Sequence, residues 1–186
     1  RTGLLFLALF GLFPTVAGAR ADPNSDRSAP PTDERWVEFA PPARAEHVAV
    51  YDAGHRRMVV FGGQVDHAPR NDVWILPLQG KREWSRATPA GEPPSPRYGA
   101  AAVLDPSGER MIMFGGRDTS NTLLGDLWEL SLRRRMSWRR LATNGPVPDA
   151  RYHHTLTLDP EHSCLVMIGG WGTWRLSLSD NTWSEI

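Results

Sequence analysis

Several residue types are scarce in this sequence, and each scarcity excludes a class of protein. A single cysteine, Cys164, among 186 residues excludes an intrachain disulfide and any zinc site built on several cysteines. Lysine occurs once, as Lys81, although 21 basic residues balance 21 acidic ones, so the positive charge is almost entirely arginine. At a formal net charge of zero the chain has no overall field to hold nucleic acid or an anionic membrane, and we expect neither as a partner.

Long hydrophobic runs are also scarce, and the longest one lies near the start. Residues 4–13, LLFLALFGLF, are too few to cross a bilayer, which takes about 20 residues. Ala19 and Ala21 then supply an A-x-A cleavage site, so residues 1–21 are predicted to be a signal peptide. The alternative is a buried first strand or helix. A signal peptide places the protein in the secreted, periplasmic or cell-surface space, with no membrane span after cleavage.

The segment at residues 22–35 has no aliphatic or aromatic side chain beyond alanine and proline. Such a composition cannot bury enough apolar surface to fold. It is predicted to be a disordered linker.

An internal repeat dominates the rest of the chain. Three similar segments, MVVFGG, MIMFGG and LVMIGG, end at Gly63, Gly116 and Gly170, at steps of 53 and 54 residues. The same spacing relates three Arg–Asp pairs eight residues apart: Arg44 and Asp52, Arg97 and Asp105, Arg151 and Asp159. Chance does not hold several spacings fixed at once. The chain therefore contains three copies of one structural unit.

Each unit holds four short strand-like runs separated by turn residues. In the second unit they cover 98–104, 110–114, 126–132 and 137–141. The second run is apolar at successive positions, so both faces of that strand must be covered. Four-stranded antiparallel sheets stacked radially satisfy this requirement, which predicts an all-β propeller.

This unit resembles the kelch repeat, in which an arginine opens the first strand, a Gly-Gly doublet closes the second and a spaced tryptophan follows. The resemblance covers residues 44–186 and implies a partial kelch-type β-propeller of three four-stranded antiparallel blades, at about 44–86, 97–141 and 151–186. The resemblance also implies an isolated N-terminal fourth strand that begins at Trp36, within a predicted propeller region of 36–186. The resemblance implies structural roles for Gly62, Gly63, Gly115, Gly116, Gly169, Gly170, Trp84, Trp138 and Trp183.

The third unit departs from this pattern. Its doublet is followed by Trp174 after four residues, whereas Gly63 and Trp74 are eleven apart. Gly172 also stands where the other units have an aspartate. Because the resemblance implies a ring of about six or seven blades, three blades indicate a fragment of a longer exported protein. The alternative is a ring assembled from several copies.

The leading functional prediction is a binding module that recognises a protein or a glycan through its loops. The loops between second and third strands and between blades share one rim and are the longer, more varied ones, and loops on a rigid scaffold commonly carry recognition. Candidate partner-binding residues on this rim are Gln64, Asp66, His67, Arg117, Asp118 and Trp171. Trp171 alone among the tryptophans has no repeat counterpart. It either walls a pocket at the ring's mouth or folds over its own blade as packing.

The alternative is an exported kelch-type enzyme, either a carbohydrate oxidase or a sialic acid epimerase, whose active site lies partly in missing blades. No catalytic, cofactor-binding or metal-binding residues are assigned, because His47, His153 and His154 read as structural and the spacing of Cys164 matches no copper site. The run Arg133–Arg135 reads as a solvated loop or a polyanion-binding patch. A third possibility is a spacer in a larger surface protein.

Overall fold

The fold is derived from a computed structural model that describes residues 41–107 and 109–186. The predicted signal peptide, linker and isolated fourth strand fall outside these residues. Across the described ranges no helix could cross a membrane, since strands and turns account for all regular structure there.

The described residues form three four-stranded sheets, which we call blades 1, 2 and 3. Blade 1 consists of β1 (Val48–Asp52), β2 (Arg57–Phe61), β5 (Val73–Pro77) and β6 (Ser85–Ala87), with the small hairpin β3 (Gln64–Val65) and β4 (Ala68–Pro69) between β2 and β5. Blade 2 consists of β7 (Ala101–Asp105), β8 (Arg110–Phe114), β9 (Leu127–Ser131) and β10 (Ser137–Leu141). Blade 3 consists of β11 (Thr155–Asp159), β12 (Cys164–Ile168), β13 (Thr173–Ser177) and β14 (Trp183–Glu185).

In every blade the strands pair antiparallel in chain order. This confirms the predicted all-β fold of partial propeller blades, and the three sheets do not close into a ring. Strand β7 lies against both β1 and β11, so the first strand of each blade is the innermost one.

Strand β8 is covered on both faces, as its continuous apolar sequence predicts. Met111 and Met113 pack in a core shared with blade 1, beside Val59. Ile112 and Phe114 point the other way and pack in a second core with blade 3. The alternation follows from the two-residue period of a strand. Blade 2 is therefore held by hydrophobic burial on each side.

In blades 1 and 2 the repeated arginine ties the glycine doublet to the aspartate that directly precedes the third strand. Arg97, 2% exposed, donates to the Gly115 carbonyl at 2.9 Å and to both carboxylate oxygens of Asp126 at 2.6 and 2.9 Å. Trp128 donates its indole N–H to the same carboxylate at 2.6 Å. Burial opposes the charge of Asp126, yet hydrogen bonds from Arg97 and Trp128 and the Arg97 charge outweigh it, so its pKa is lowered. In blade 1, Arg44, Asp72 and Trp74 repeat this arrangement.

The glycine doublets of blades 1 and 2 lie where neighbouring blades meet through their backbones. Gly63 and Gly116 donate to the carbonyls of Arg97 and Arg151, one blade further on, at 2.9 and 2.8 Å. A Cβ at Gly115, whose φ is +68°, would lie 2.5 Å from the Arg151 carbonyl oxygen. The doublet therefore admits the backbone of the next blade.

The predicted structural tryptophans lie at different depths. Trp138 in β10 and Trp183 in β14 are buried in the two interblade cores. Trp84 precedes β6 by one residue and is half-buried.

Candidate functional site

The antiparallel order of the strands gives each blade two ends, and we name them by their loops. The loop rim carries the β2–β5, β8–β9 and β12–β13 connections and the segments between blades. The hairpin rim carries the first-to-second and third-to-fourth strand turns. The residues just before β1, β7 and β11 lie at the loop rim on the inner side, because these are the innermost strands.

Equivalent residues of the three blades contact one another at this inner edge. Glu46, Gly99 and His153 each follow the repeated arginine by two positions and have positive φ of 55°, 63° and 54°. Gly99 donates its N–H to the Glu46 carbonyl at 2.9 Å, and His153 donates its N–H to the Gly99 carbonyl at 2.8 Å. The side chains of Glu46 and His153 pair across blade 2, with 2.6 Å between Oε2 and Nε2.

Gly99 is what lets this pair form. A Cβ at that position would lie 2.9 Å from the His153 ring carbon Cδ2, closer than real contacts allow. The bare backbone of blade 2 therefore lets the imidazole of blade 3 reach the carboxylate of blade 1.

Aromatic and basic side chains continue this edge outward. The Arg117 guanidinium lies 4.2 Å from the centre of the Tyr152 ring, a cation–π arrangement. Arg117 also donates to Asn121 Oδ1 at 2.9 Å, as does the Tyr98 hydroxyl at 3.1 Å. Tyr152 and His153 have ring centres 4.3 Å apart. The five side chains Tyr98, Arg117, Asn121, Tyr152 and His153, together with Glu46, form one connected group, which we call the rim cluster.

The structure brings only Arg117 of the predicted binding residues into this cluster. Gln64 lies in β3, where its backbone pairs with Ala45, and Asp66 and His67 form the exposed turn of the β3–β4 hairpin. Asp118 is engaged by its own loop, because its carboxylate accepts the N–H groups of Ser120 and Thr122 at 2.8 and 2.9 Å. Asp118 therefore shapes the loop that carries Arg117 and Asn121.

Trp171 has an 83% exposed side chain. The interpretation that it folds over its own blade as packing is therefore wrong. Its backbone has the structural role instead, because the Trp171 carbonyl accepts hydrogen bonds from Arg151 at 3.1 Å and from the Trp174 indole at 3.4 Å. This carbonyl takes the place of the aspartate that Gly172 replaces in the repeat.

The adjacent histidines of blade 3 have opposite surroundings. His154 is 6% exposed and lies edge-on to Phe114 with ring centres 5.7 Å apart. Burial, and secondarily the Arg151 charge, lower its pKa to about 4, so it is uncharged at neutral pH. His153 is half-exposed and belongs to the rim cluster. Within the described ranges no three His, Cys, Asp or Glu side chains are grouped to hold a metal ion.

Sequence reasoning missed five members of the rim cluster: Glu46, Tyr98, Asn121, Tyr152 and His153. A signal for them exists at fixed positions of the repeat. Tyr98 and Tyr152 directly follow Arg97 and Arg151, where blade 1 has Ala45. The residues that follow these three are Glu46, Gly99 and His153. They occupy the same position of the repeat but differ in chemistry.

The comparison with known families agrees with this geometry. The chain matches the KLHDC2/KLHL20/DRC7 Kelch-repeats domain over residues 28–186. The chain belongs to the kelch-repeat family. In blades 1 and 2 the hydrogen-bonded network described above joins the repeated arginine, the Gly-Gly doublet and a third-strand tryptophan.

Three kelch relatives illustrate the range of proteins that contain this domain. Tip elongation aberrant protein 1 of Schizosaccharomyces pombe is 35% identical over 66% of this chain and 10% of its own length. Dynein regulatory complex subunit 7 of Chlamydomonas reinhardtii is 31% identical over 61% of this chain and 10% of its own length. Human host cell factor 1 is 33% identical over 78% of this chain and 8% of its own length. This kelch chain thus spans a tenth or less of each.

Proposed function

We propose that this chain is a recognition module that binds a partner protein through the loop rim. The observation that carries the proposal is the rim cluster, which runs without interruption across all three blades. Each blade contributes side chains to it: Glu46 from blade 1, Arg117 from blade 2 and Tyr152 from blade 3.

The chemistry of the cluster suits a protein interface. Tyrosine and arginine dominate the binding energy of protein interfaces because they bury large areas and still form hydrogen bonds. Arg117 is already oriented on Tyr152 and tied to Asn121. Little side-chain freedom is then lost on binding, which leaves more of the contact energy as affinity.

Kelch relatives support the proposal from another direction. One relative is by its name a subunit of a dynein regulatory complex, and hence works in contact with other proteins. The similarity covers a tenth of that relative, so the rim cluster remains the observation that carries the proposal of a partner protein.

A glycan is the second candidate ligand, and Trp171 is the observation that favours it. An 83% exposed indole can stack on the apolar face of a sugar ring. Export through residues 1–21 would bring the loop rim to extracellular glycans. The two ligand classes make different demands, since a glycan site depends on Trp171 and a protein site on the rim cluster.

The test is photo-crosslinking in the full chain, with a photoreactive phenylalanine analogue at Tyr152 and, as control, at Lys81 on the hairpin rim. We expect a protein crosslinked from the producing organism only at Tyr152. Its affinity for purified chain is then measured with Arg117→Ala and Lys81→Ala.

A loss of about tenfold or more for Arg117→Ala, with Lys81→Ala unchanged, is the expected result. Equal binding by both variants overturns the proposal. Glycan binding that is abolished by Trp171→Ala but unaffected by Arg117→Ala would favour the second candidate.

A further inference from the structure

The hairpin rim repeats one arrangement in all three blades. In each blade the N–H of a leucine just after the third strand donates to the carbonyl of the last residue in the first-to-second strand turn. The distances are 2.8 Å for Leu78 and Arg56, 2.8 Å for Leu132 and Glu109, and 3.0 Å for Leu178 and Ser163. This repetition makes the two interblade junctions directly comparable, atom by atom.

An arginine closes the junction between blades 1 and 2. Arg57 donates from Nε to Asp52 of its own blade at 2.8 Å, and its Nη2 donates to the Leu132 carbonyl of blade 2. The guanidinium therefore links the two blades at the hairpin rim.

The equivalent arginine does not close the junction between blades 2 and 3. Arg110 donates from Nε to Asp105 at 2.9 Å, but its Nη1 turns to Glu129 of its own blade at 3.0 Å. Glu129 occupies the position that Ile75 has in blade 1, since each pairs with the middle residue of the second strand. The carboxylate thus captures the guanidinium that would otherwise cross to blade 3.

Two hydrogen-bonding groups are left over at this junction. The Nη2 of Arg110 and the carbonyl of Leu178 form no hydrogen bond with the part of the chain that the structure describes. Their counterparts, Arg57 Nη2 and the Leu132 carbonyl, bond to each other. A cavity of about 330 Å3 lies here, lined by Arg110, Ser107, Ser163, Ser179, Leu178 and Pro160 among others.

We propose that this cavity binds a primary carboxamide, as carried by a glutamine or asparagine side chain of a partner polypeptide. A carboxamide has an acceptor for Arg110 Nη2 and donors for the Leu178 carbonyl, so one group satisfies both. The site lies on the hairpin rim and stands independently of recognition at the loop rim.

The charges and the lining exclude the other ligand classes. An anion would gain little electrostatic attraction, because two carboxylates already neutralise the charge of Arg110. A cation would be repelled by the Arg110 guanidinium. Leu158, Pro106 and Pro160 suit the methylene stem of a side chain, whereas none of the lining residues is aromatic and could stack on a sugar. The volume lies at the small end for ligand sites, which fits one side chain.

The experiment measures backbone amide shifts by NMR as small probes are added to the full chain. The probe is N-acetylglutamine N-methylamide, and the controls are the corresponding glutamate and methionine compounds and N-acetylglucosamine. We expect saturable shifts at Ser163, Leu178 and Ser179 with a dissociation constant in about the millimolar range, and about tenfold weaker binding of every control.

Two variants close the cavity and one leaves it open. Glu129→Ile restores the residue type of blade 1, frees Arg110 for the Leu178 carbonyl and abolishes binding. Ser179→Phe fills the cavity from an exposed position and abolishes binding even if Glu129→Ile fails to fold. Arg139→Gln removes the other partner of Glu129, at 2.9 Å, and retains binding.

Several results would overturn the proposal. They are an absence of saturable shifts at the three amides, equal or stronger binding of a control compound, and undiminished binding by a folded Glu129→Ile chain.

Discussion

Arg151 donates a hydrogen bond of 3.1 Å from Nη2 to the backbone carbonyl of Trp171. In the other two blades the equivalent arginine binds an aspartate side chain. Blade 3 thus keeps a hydrogen-bond acceptor for this arginine although it lacks the aspartate. Its shortened loop places the Trp171 carbonyl where the other blades have the aspartate carboxylate.

Restoring the consensus aspartate at position 172 is therefore expected to destabilise the protein. Gly172 has φ of +78°, and a Cβ there would lie 2.5 Å from the Glu185 carboxylate. Gly172→Asp adds backbone strain of about 1 kcal/mol and a second negative charge beside Glu185. Chemical denaturation measures the loss. The matched control is Gly80→Asp, with φ of +69° and open space around the Cβ. An equal or smaller loss at Gly172 than at Gly80 would contradict the argument.

Replacing Trp171 by alanine is expected to leave stability almost unchanged, within about 0.5 kcal/mol. The side chain is 83% exposed, and the carbonyl that accepts from Arg151 remains. Thermal melting measures stability, and acrylamide quenching of fluorescence checks that a highly accessible indole has been removed. A large drop in melting temperature would mean that the indole packs against the blade.

Removing Arg97 is expected to cost about 3–5 kcal/mol of unfolding free energy, since it leaves the half-buried Asp126 carboxylate without its cation. Arg97→Met retains the approximate size of the side chain while removing the guanidinium. Arg86→Met is the matched control, because Arg86 is exposed. Comparable losses for the two variants in urea denaturation would rule out a special role for the buried network.

Stability is expected to fall as the pH drops from about 6.5 to 4, and His154 is one cause. Burial and the Arg151 charge lower its pKa to about 4, whereas an unfolded histidine titrates near 6.5. Below about pH 6.5 the histidine is protonated in the unfolded chain but stays neutral in the folded chain. Protonation therefore favours the unfolded chain and lowers the free energy of unfolding by up to about 3 kcal/mol. His154→Phe eliminates this contribution. Denaturation curves at pH 7 and pH 4.5 measure it, and an unchanged pH dependence in the variant would refute it.

Export remains a prediction from residues 4–13 and Ala21. Mass spectrometry of the protein secreted by its producing organism is expected to find Asp22 at the N-terminus. Recovery of the uncleaved chain from the cell interior would disprove the signal peptide.

The sequence predicted the parts of the fold that depend on fixed periods along the chain. The unbroken apolar run Met111–Phe114 implied a strand covered on both faces, and the repeat spacing implied stacked blades. The constant spacing between Arg97 and Asp105 marks the repeat, but it does not identify the partner of the arginine, whose side chain binds Asp126. That partner lies beyond a loop whose length varies between the blades, so a constant spacing does not reveal it.

The rim cluster was harder to predict because its contacts cross between blades. Glu46 and His153 are 107 residues apart and meet only over Gly99. Their contact depends on three neighbouring backbones and on a missing Cβ. The available signal in the sequence was that one repeat position holds a glutamate, a glycine and a histidine in the three blades.

The double burial of strand β8 also bears on how this protein can change over evolutionary time. A substitution at Met111 or Met113 disturbs the packing with blade 1, and one at Ile112 or Phe114 disturbs the packing with blade 3. Successive residues of this strand therefore pack against different blades. Compensating changes must arise in two separate blades, so a repeat of this kind can diversify its loops freely while its second strand changes slowly.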